Sequence, residues 1–209
     1  VITIKILIAV PTFETIYPDT FKSIYDLEDG GHELIFDFVR GYDVATARNN
    51  IAQKAIDMGV DYVLMVDNDV VIPKETLLYF LEDAKDVCLG YYAHRNARNV
   101  YDGKTCLGKL GPFNYPVEAL YSANEIESLR SRGINKEEIH GGGFGCAFVN
   151  AGVFKRLQYP WFDWVNYITR GILSEDLYFC EQCHRVKIPV YMDTRVGCGH
   201  MMRRLQWPE

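Results

Sequence analysis

Positive charge, long apolar runs and the familiar nucleophile and phosphate-loop signatures are all scarce in this 209-residue chain. Lys and Arg number 22 against 28 Asp and Glu, a formal net charge of −6. Proteins that grip polyanions through Lys and Arg alone are basic, so bulk nucleic-acid binding is disfavoured. A diphosphate ligand would instead be helped by a metal ion or by helix N-termini. No apolar stretch approaches membrane length. The Val1–Val10 run carries Lys5, leads into Pro11 and has no small-residue cleavage pattern, so it reads as a first strand. The chain opens on Val1 rather than Met, as a processed or trimmed chain would. There is no Gly-x-Ser-x-Gly, no internal repeat and no low-complexity linker, and the Gly141–Gly143 stretch lacks the Gly-Lys-Ser/Thr ending of a phosphate loop. The cysteines are even in number, 6, but a chain that is 48% hydrophobic needs no disulfide staples. Reduced thiols in a cytoplasmic protein are the expectation.

What is present alternates. Strands are predicted at Ile2–Val10, Glu33–Val39, Tyr62–Val66 and Val87–Tyr92. Between them fall helices at Asp19–Leu27, Val44–Met58 (capped by Asp43, stopped by Gly59) and Lys74–Ala84. Such alternation implies an α/β fold, a mostly parallel sheet flanked by helices. The second half is less regular. His94–Pro116 reads as a long loop, locally basic through His94, Arg95, Arg98, Lys104 and Lys109. A helix is expected at Glu125–Arg132, a strand at Cys146–Val149 and a short helix to Leu157. Ser174 is the expected cap of a helix reaching Val186, and short strands follow at Val190–Met192 and Val196–Cys198.

The candidate chemistry centres on Asp67-Asn68-Asp69. Two carboxylates at the carboxyl end of a buried strand stand where open α/β sheets bind ligands. On extended chain their side chains share a side, and hard oxygen ligands suit a divalent cation shared with phosphates. A helix cap and a solvated loop residue are the plainer alternative. Ser174-Glu175-Asp176 offers a general base from one of its carboxylates, or simply a well-capped helix start. His200 would complete a site begun by Asp67 and Asp69. Cys180-x-x-Cys183 with Cys198 and His200 competes for that histidine as a zinc set, although Cys-x-His is not zinc-finger spacing. Gly141-Gly142-Gly143 lets backbone approach a ligand or makes a turn. Trp161, Phe162 and Trp164 form either a stacking platform or core.

Taken in order, these pieces resemble the GT-A fold glycosyltransferases, the family 2-like group. The matching residues are Ile8-Ala9-Val10-Pro11-Thr12, Ala47-Arg48-Asn49, Met65-Val66-Asp67-Asn68-Asp69, Gly142 to Cys146, Ser174-Glu175-Asp176 and Gly199-His200. The resemblance covers nearly the whole chain as one domain, with residues 1–73 as a nucleotide-binding half and 74–209 as an acceptor-binding and catalytic half. It implies a manganese- or magnesium-dependent transfer, inverting, from a nucleotide sugar, a UDP-sugar, to an acceptor hydroxyl. By the same resemblance Pro11, Thr12 and Glu14 line the nucleotide pocket, with Arg48 near the base or diphosphate and Asn68 beside them. Asp69 and His200 bind the metal, and Asp67 lies near the ribose or metal shell. Asp176, or Glu175, is the base. Gly142, Gly143, Trp161 and Trp164 border the donor sugar and acceptor, which is a small molecule, glycan, protein or modified nucleobase. One stretch departs from the family: Phe36-Asp37-Phe38-Val39-Arg40-Gly41 replaces the usual Asp-Asp-Gly-Ser, leaving Asp37 as the base-reading carboxylate. A sugar-phosphate nucleotidylyltransferase and a non-catalytic nucleotide or zinc module are the alternatives.

Overall fold

The structure, a computed structural model, describes residues 3–95, 101–109, 120–167 and 171–201. Arg98 and the segment 110–119 fall outside them. In chain order the elements are β1 Lys5–Pro11, α1 Pro18–Tyr25, β2 Glu33–Val39, α2 Val44–Met58, β3 Tyr62–Val66, β4 Val70–Val71 and α3 Thr76–Leu81. Next come β5 Val87–Tyr91, β6 Ala93–Arg95, β7 Tyr101–Gly108, β8 Leu120–Ser122, α4 Ala123–Ser131, β9 Lys136–Ile139 and β10 Gly141–Gly142. The remaining elements are β11 Cys146–Asn150, α5 Ala151–Arg156, β12 Val165–Tyr167, β13 Gly171–Leu173, α6 Glu175–Arg185, β14 Val190–Gly197 and β15 Gly199–His200.

Seven strands form the central sheet in the order β2-β1-β3-β11-β5-β14-β9. The pairings β1–β2, β1–β3 and β5–β14 are parallel, as the alternation predicts. Strand β11 runs antiparallel to both neighbours and β9 antiparallel to β14, while the other five strands share one direction, so the sheet is mostly parallel with two reversed strands. Apolar residues on both faces of the central strands build two cores. In β1, Leu7 and Ala9 join the core under α2, while Ile6, Ile8 and Val10 join the core under α1 and α3. The same period of two splits β3 into Val63 and Met65 against Leu64 and Val66.

Local chemistry sets the ends that matter for the site. Asp43 accepts from Thr46 N at 2.7 Å and caps α2, and Gly59 ends it at φ 61°. Helix α3 is shorter than predicted because a Pro73–Thr76 turn precedes it and Asp83 takes a positive φ after it. The basic stretch expected to be loop contains β6 and β7, which pair with each other. In β7, Thr105 and Leu107 are buried, Cys106 is half-buried and Lys104 is exposed, so one face is covered and no apolar run betrays the strand. Strand β14 is continuous where two short strands were expected, with its register broken between Met192 and Gly197.

Candidate active site

Strand β3 delivers Asp67 to the carboxyl edge of the sheet, and the period of two continues through it. Asp67 therefore faces the α2 side, with Val63 and Met65, and meets Arg48 of α2: Nη2 donates to Asp67 Oδ1 at 2.9 Å. The chain then turns. Val70 N donates to Asp67 O at 3.1 Å, so the segment is a tight turn and not extended chain. The premise of extended chain fails for that reason, although both carboxylates still line one cavity. Asp69 lies beside β15, whose His200 pairs with Val70 across a two-stranded ladder. His200 Nε2 lies 3.7 Å from Asp69 Oδ2, and His200 Nδ1 lies 2.8 Å from Ala93 O. A carbonyl only accepts, so Nδ1 carries a proton.

Two cavities flank this pair. The first, about 320 Å³, is lined by Pro11, Thr12, Phe13, Gly41, Asp43, Val44, Ala47 and Asp67-Asn68-Asp69. Asn68 closes its floor by donating to Thr15 O at 2.7 Å, and Tyr17 N donates back to Asn68 O at 3.0 Å. Gly41 is required here: a Cβ would stand 2.2 Å from Ala47 N, so the loop can lie on the first turn of α2 only as glycine. The second cavity, about 300 Å³, is lined by Tyr92, His94, Cys106, Gly108, Leu120, Gly143, Ser174, Asp176, Leu177 and His200. Gly143 presses against Tyr92, whose hydroxyl accepts from Gly145 N at 3.1 Å. Burial pushes the Tyr92 phenol well above the usual range. It likewise pushes the Cys106 thiol up to about 12.

Ser174 does not cap α6 with its side chain. Its hydroxyl donates to Asp176 Oδ1, which also accepts from Leu177 N at 2.8 Å. Asp176 is thereby fixed at the cavity wall. Glu175 points the other way, into the protein, and accepts from Arg48 Nη1. Burial pushes its carboxyl up to about 7 against the opposing pull of Arg48. Burial also works against the charge on Arg48, but Asp67 and Glu175 outweigh it and hold the guanidinium above its ordinary value.

Other expected site residues are placed elsewhere. Arg48 lines neither cavity and sits behind both, against the Phe144 ring at 5.8 Å. Glu175, being locked to Arg48, is no candidate for the base. Glu14 is exposed and lines neither cavity. Asp37 lies two residues short of the end of β2 and pairs with Lys54 of α2, while Asp43 lines the first cavity in its place. Trp161 belongs to the core: it is 6% exposed, its indole N–H donates to Phe154 O at 2.7 Å, and Asn49 Oδ1 accepts from its backbone N at 3.0 Å. Trp164 is exposed away from either cavity. Gly142 pairs with Leu107 in β10–β7, so of the glycines expected at the site only Gly143 reaches the cavity. The zinc set is not assembled. Cys180 and Cys183 pack in the core under α2 and Cys198 against the opposite one. All six cysteines are free, and burial raises the Cys180 thiol to about 12, the reverse of what a thiolate ligand needs.

No protein-family model and no curated protein sequence matches the chain. Solved structures do. "Crystal structure of GalNAc-T7 with UDP, GalNAc and Mn2+" superposes with a TM-score of 0.65 at 10% identity, over 97% of this chain and 44% of that one. The fold is that of a GT-A glycosyltransferase. A second structure, A197 from STIV, matches with a TM-score of 0.61 at 16% identity, over 96% of this chain and 87% of that one. At these identities the likeness concerns the fold. Among the described residues no helix is long and apolar enough to cross a membrane.

The sequence missed Phe13 and Asp43 in the first cavity and Tyr92 and Leu177 in the second. Asp43 was legible only as a cap, although a cap just beyond a strand end stands at the ligand-binding edge of the sheet. Tyr92 had no such signal. The backbone of Gly143–Gly145, remote in sequence, is what frames it.

Proposed function

We propose that the protein transfers a sugar from a nucleotide-sugar donor to an acceptor hydroxyl. The single observation that carries this reading is the Asp69–His200 pair at 3.7 Å, standing between two cavities with Asp176 in the wall of the second. On this reading the nucleoside diphosphate occupies the first cavity, with Phe13 beside the base, and the donor sugar and acceptor meet in the second. The GalNAc-T7 structure contains UDP, GalNAc and Mn2+, which supports a UDP-sugar and manganese as the first choices to test.

The residues fit a divalent cation. A carboxylate oxygen and an imidazole lone pair 3.7 Å apart are within the span of two ligands on one ion. The Ala93 carbonyl, by accepting from Nδ1, would direct the Nε2 lone pair of a neutral His200 to the ion. Among the described residues no group of three or more His, Cys, Asp or Glu forms a closed cage, so diphosphate oxygens and water would complete the shell. When bound, the ion would supply charge stabilisation for the leaving diphosphate.

The chain's own residues do the rest. Both donors to Asp176 sit on Oδ1, which leaves Oδ2 to accept a proton. The acceptor O–H gives its proton to Asp176 as its oxygen bonds to the anomeric carbon. The bond from that carbon to the diphosphate oxygen breaks, and the nucleoside diphosphate leaves with the electron pair. A base opposite the leaving group gives inversion. Asp67, held by Arg48 through Oδ1, lines the donor cavity beside Asp69.

The test is a panel of nucleotide sugars with manganese, followed by release of nucleoside diphosphate with and without candidate acceptors. Asp176→Asn is expected to lower turnover by about 10²-fold or more, and Asp69→Ala to remove manganese dependence along with activity. Wild-type turnover in the Asp176→Asn protein would remove the base assignment. Release of pyrophosphate from a nucleoside triphosphate instead would overturn glycosyl transfer altogether.

A further inference from the structure

Arg48 is among the largest fully buried side chains, and the proposed chemistry leaves it unused. It is 2% exposed, on an interior turn of α2, and grips Asp67 at the end of β3 with one nitrogen and Glu175 at the start of α6 with another. Its Nε has no hydrogen-bond partner among the described residues. As a stabilising device this is poor. Charged groups are desolvated and one donor is left unsatisfied, where apolar residues of similar volume often serve as well or better.

As a spacer it is apt. Asp67 lines the first cavity, and Asp176, next in sequence to Glu175, lines the second. The forked, planar guanidinium fixes both carboxylates relative to one rigid group, which a single-point ammonium cannot do. We infer that the Arg48–Glu175 pair is a positioning element that sets the separation between the donor-side turn, Asp67 to Asp69, and the base Asp176. Neither residue touches substrate. The role rests on the glycosyl-transfer reading for its meaning, but the geometry it predicts can be tested apart from it.

The decisive variant is the double substitution Arg48→Met with Glu175→Leu, which removes both charges and keeps the volume. Its melting temperature is expected within a few degrees of the wild type. With the donor identified, kcat is expected to fall about 100-fold while KM for the donor changes less than about threefold, as a misplacement of about 1 Å would produce. Amide exchange is expected to quicken at residues 67–69 and 174–177 and to stay unchanged in the central strands. A folded double variant with wild-type kcat, or with unaltered exchange at both segments, overturns the proposal. If the double variant does not fold, Arg48→Lys replaces it, since one ammonium cannot span both carboxylates in the same geometry; wild-type kcat and exchange there overturn it equally. A wild-type protein that turns over no nucleotide sugar defeats the functional reading and leaves the exchange measurement to decide the spacer.

Discussion

Glu175 illustrates how one residue's surroundings decide its chemistry. Its neighbour Asp176 lines a cavity, whereas Glu175 is 4% exposed and burial, which disfavours its charged form, pushes its carboxyl up. A carboxyl whose pKa is higher in the folded than in the unfolded chain favours folding while protonated. That contribution is fully present below about 4.5 and is lost as pH rises through about 7. Wild-type stability relative to Glu175→Gln is therefore expected to decline from about pH 4.5 to 7.5. Urea unfolding of the two proteins across that range measures it, and parallel curves would mean that Glu175 titrates normally. At the same scale Ser174 and Asp67 show side chains diverted from the roles their positions suggest. Ser174 serves Asp176 rather than the helix end, and Asp67 serves Arg48 rather than the Asp69 side of the turn.

Among the elements, the β10–β11 connection shapes the second cavity most directly. Gly143 lies where a Cβ would come within 2.2 Å of the Tyr92 hydroxyl, which is itself tied to Gly145 N. Gly143→Ala is expected to destabilise by about 1–3 kcal/mol through this overpacking. Tyr92→Phe removes the offending oxygen at the cost of one hydrogen bond, so it should cost less in the Gly143→Ala background than alone. Additive losses in a double-mutant cycle would show that the two residues do not press on each other. The short ladder β4–β15 matters in a similar way. It is only two residues long on each strand, yet it carries His200, far along the chain, to Asp69.

For the whole molecule, a site shared between two cavities implies that ligand and cation stabilise the fold together. UDP with manganese at about 100 times its dissociation constant should add about 2.7 kcal/mol, raising the melting temperature by several degrees. Chelation should reverse the gain, and a shift unchanged by chelation would separate nucleotide binding from the cation. Much of the architecture follows from local order in the chain. Strands β2 and β3 and helix α2 have the predicted bounds, since strand alternation, an Asp43 cap and a Gly59 stop are all written within a few residues. The GT-A resemblance drew on motif order along the chain, and the fold agrees with it. The antiparallel β11 and the polar β6–β7 pair were not legible, because strand partners are chosen in space and a half-covered strand needs no apolar run. Sequence by itself brought Asp67, Asp69 and Asp176 to the edge of the sheet, though not Asp43. Only the tertiary structure decided what each does there, because a carboxylate's role depends on the partner it meets: Arg48 for Asp67 and Glu175, His200 for Asp69, and an open cavity for Asp176.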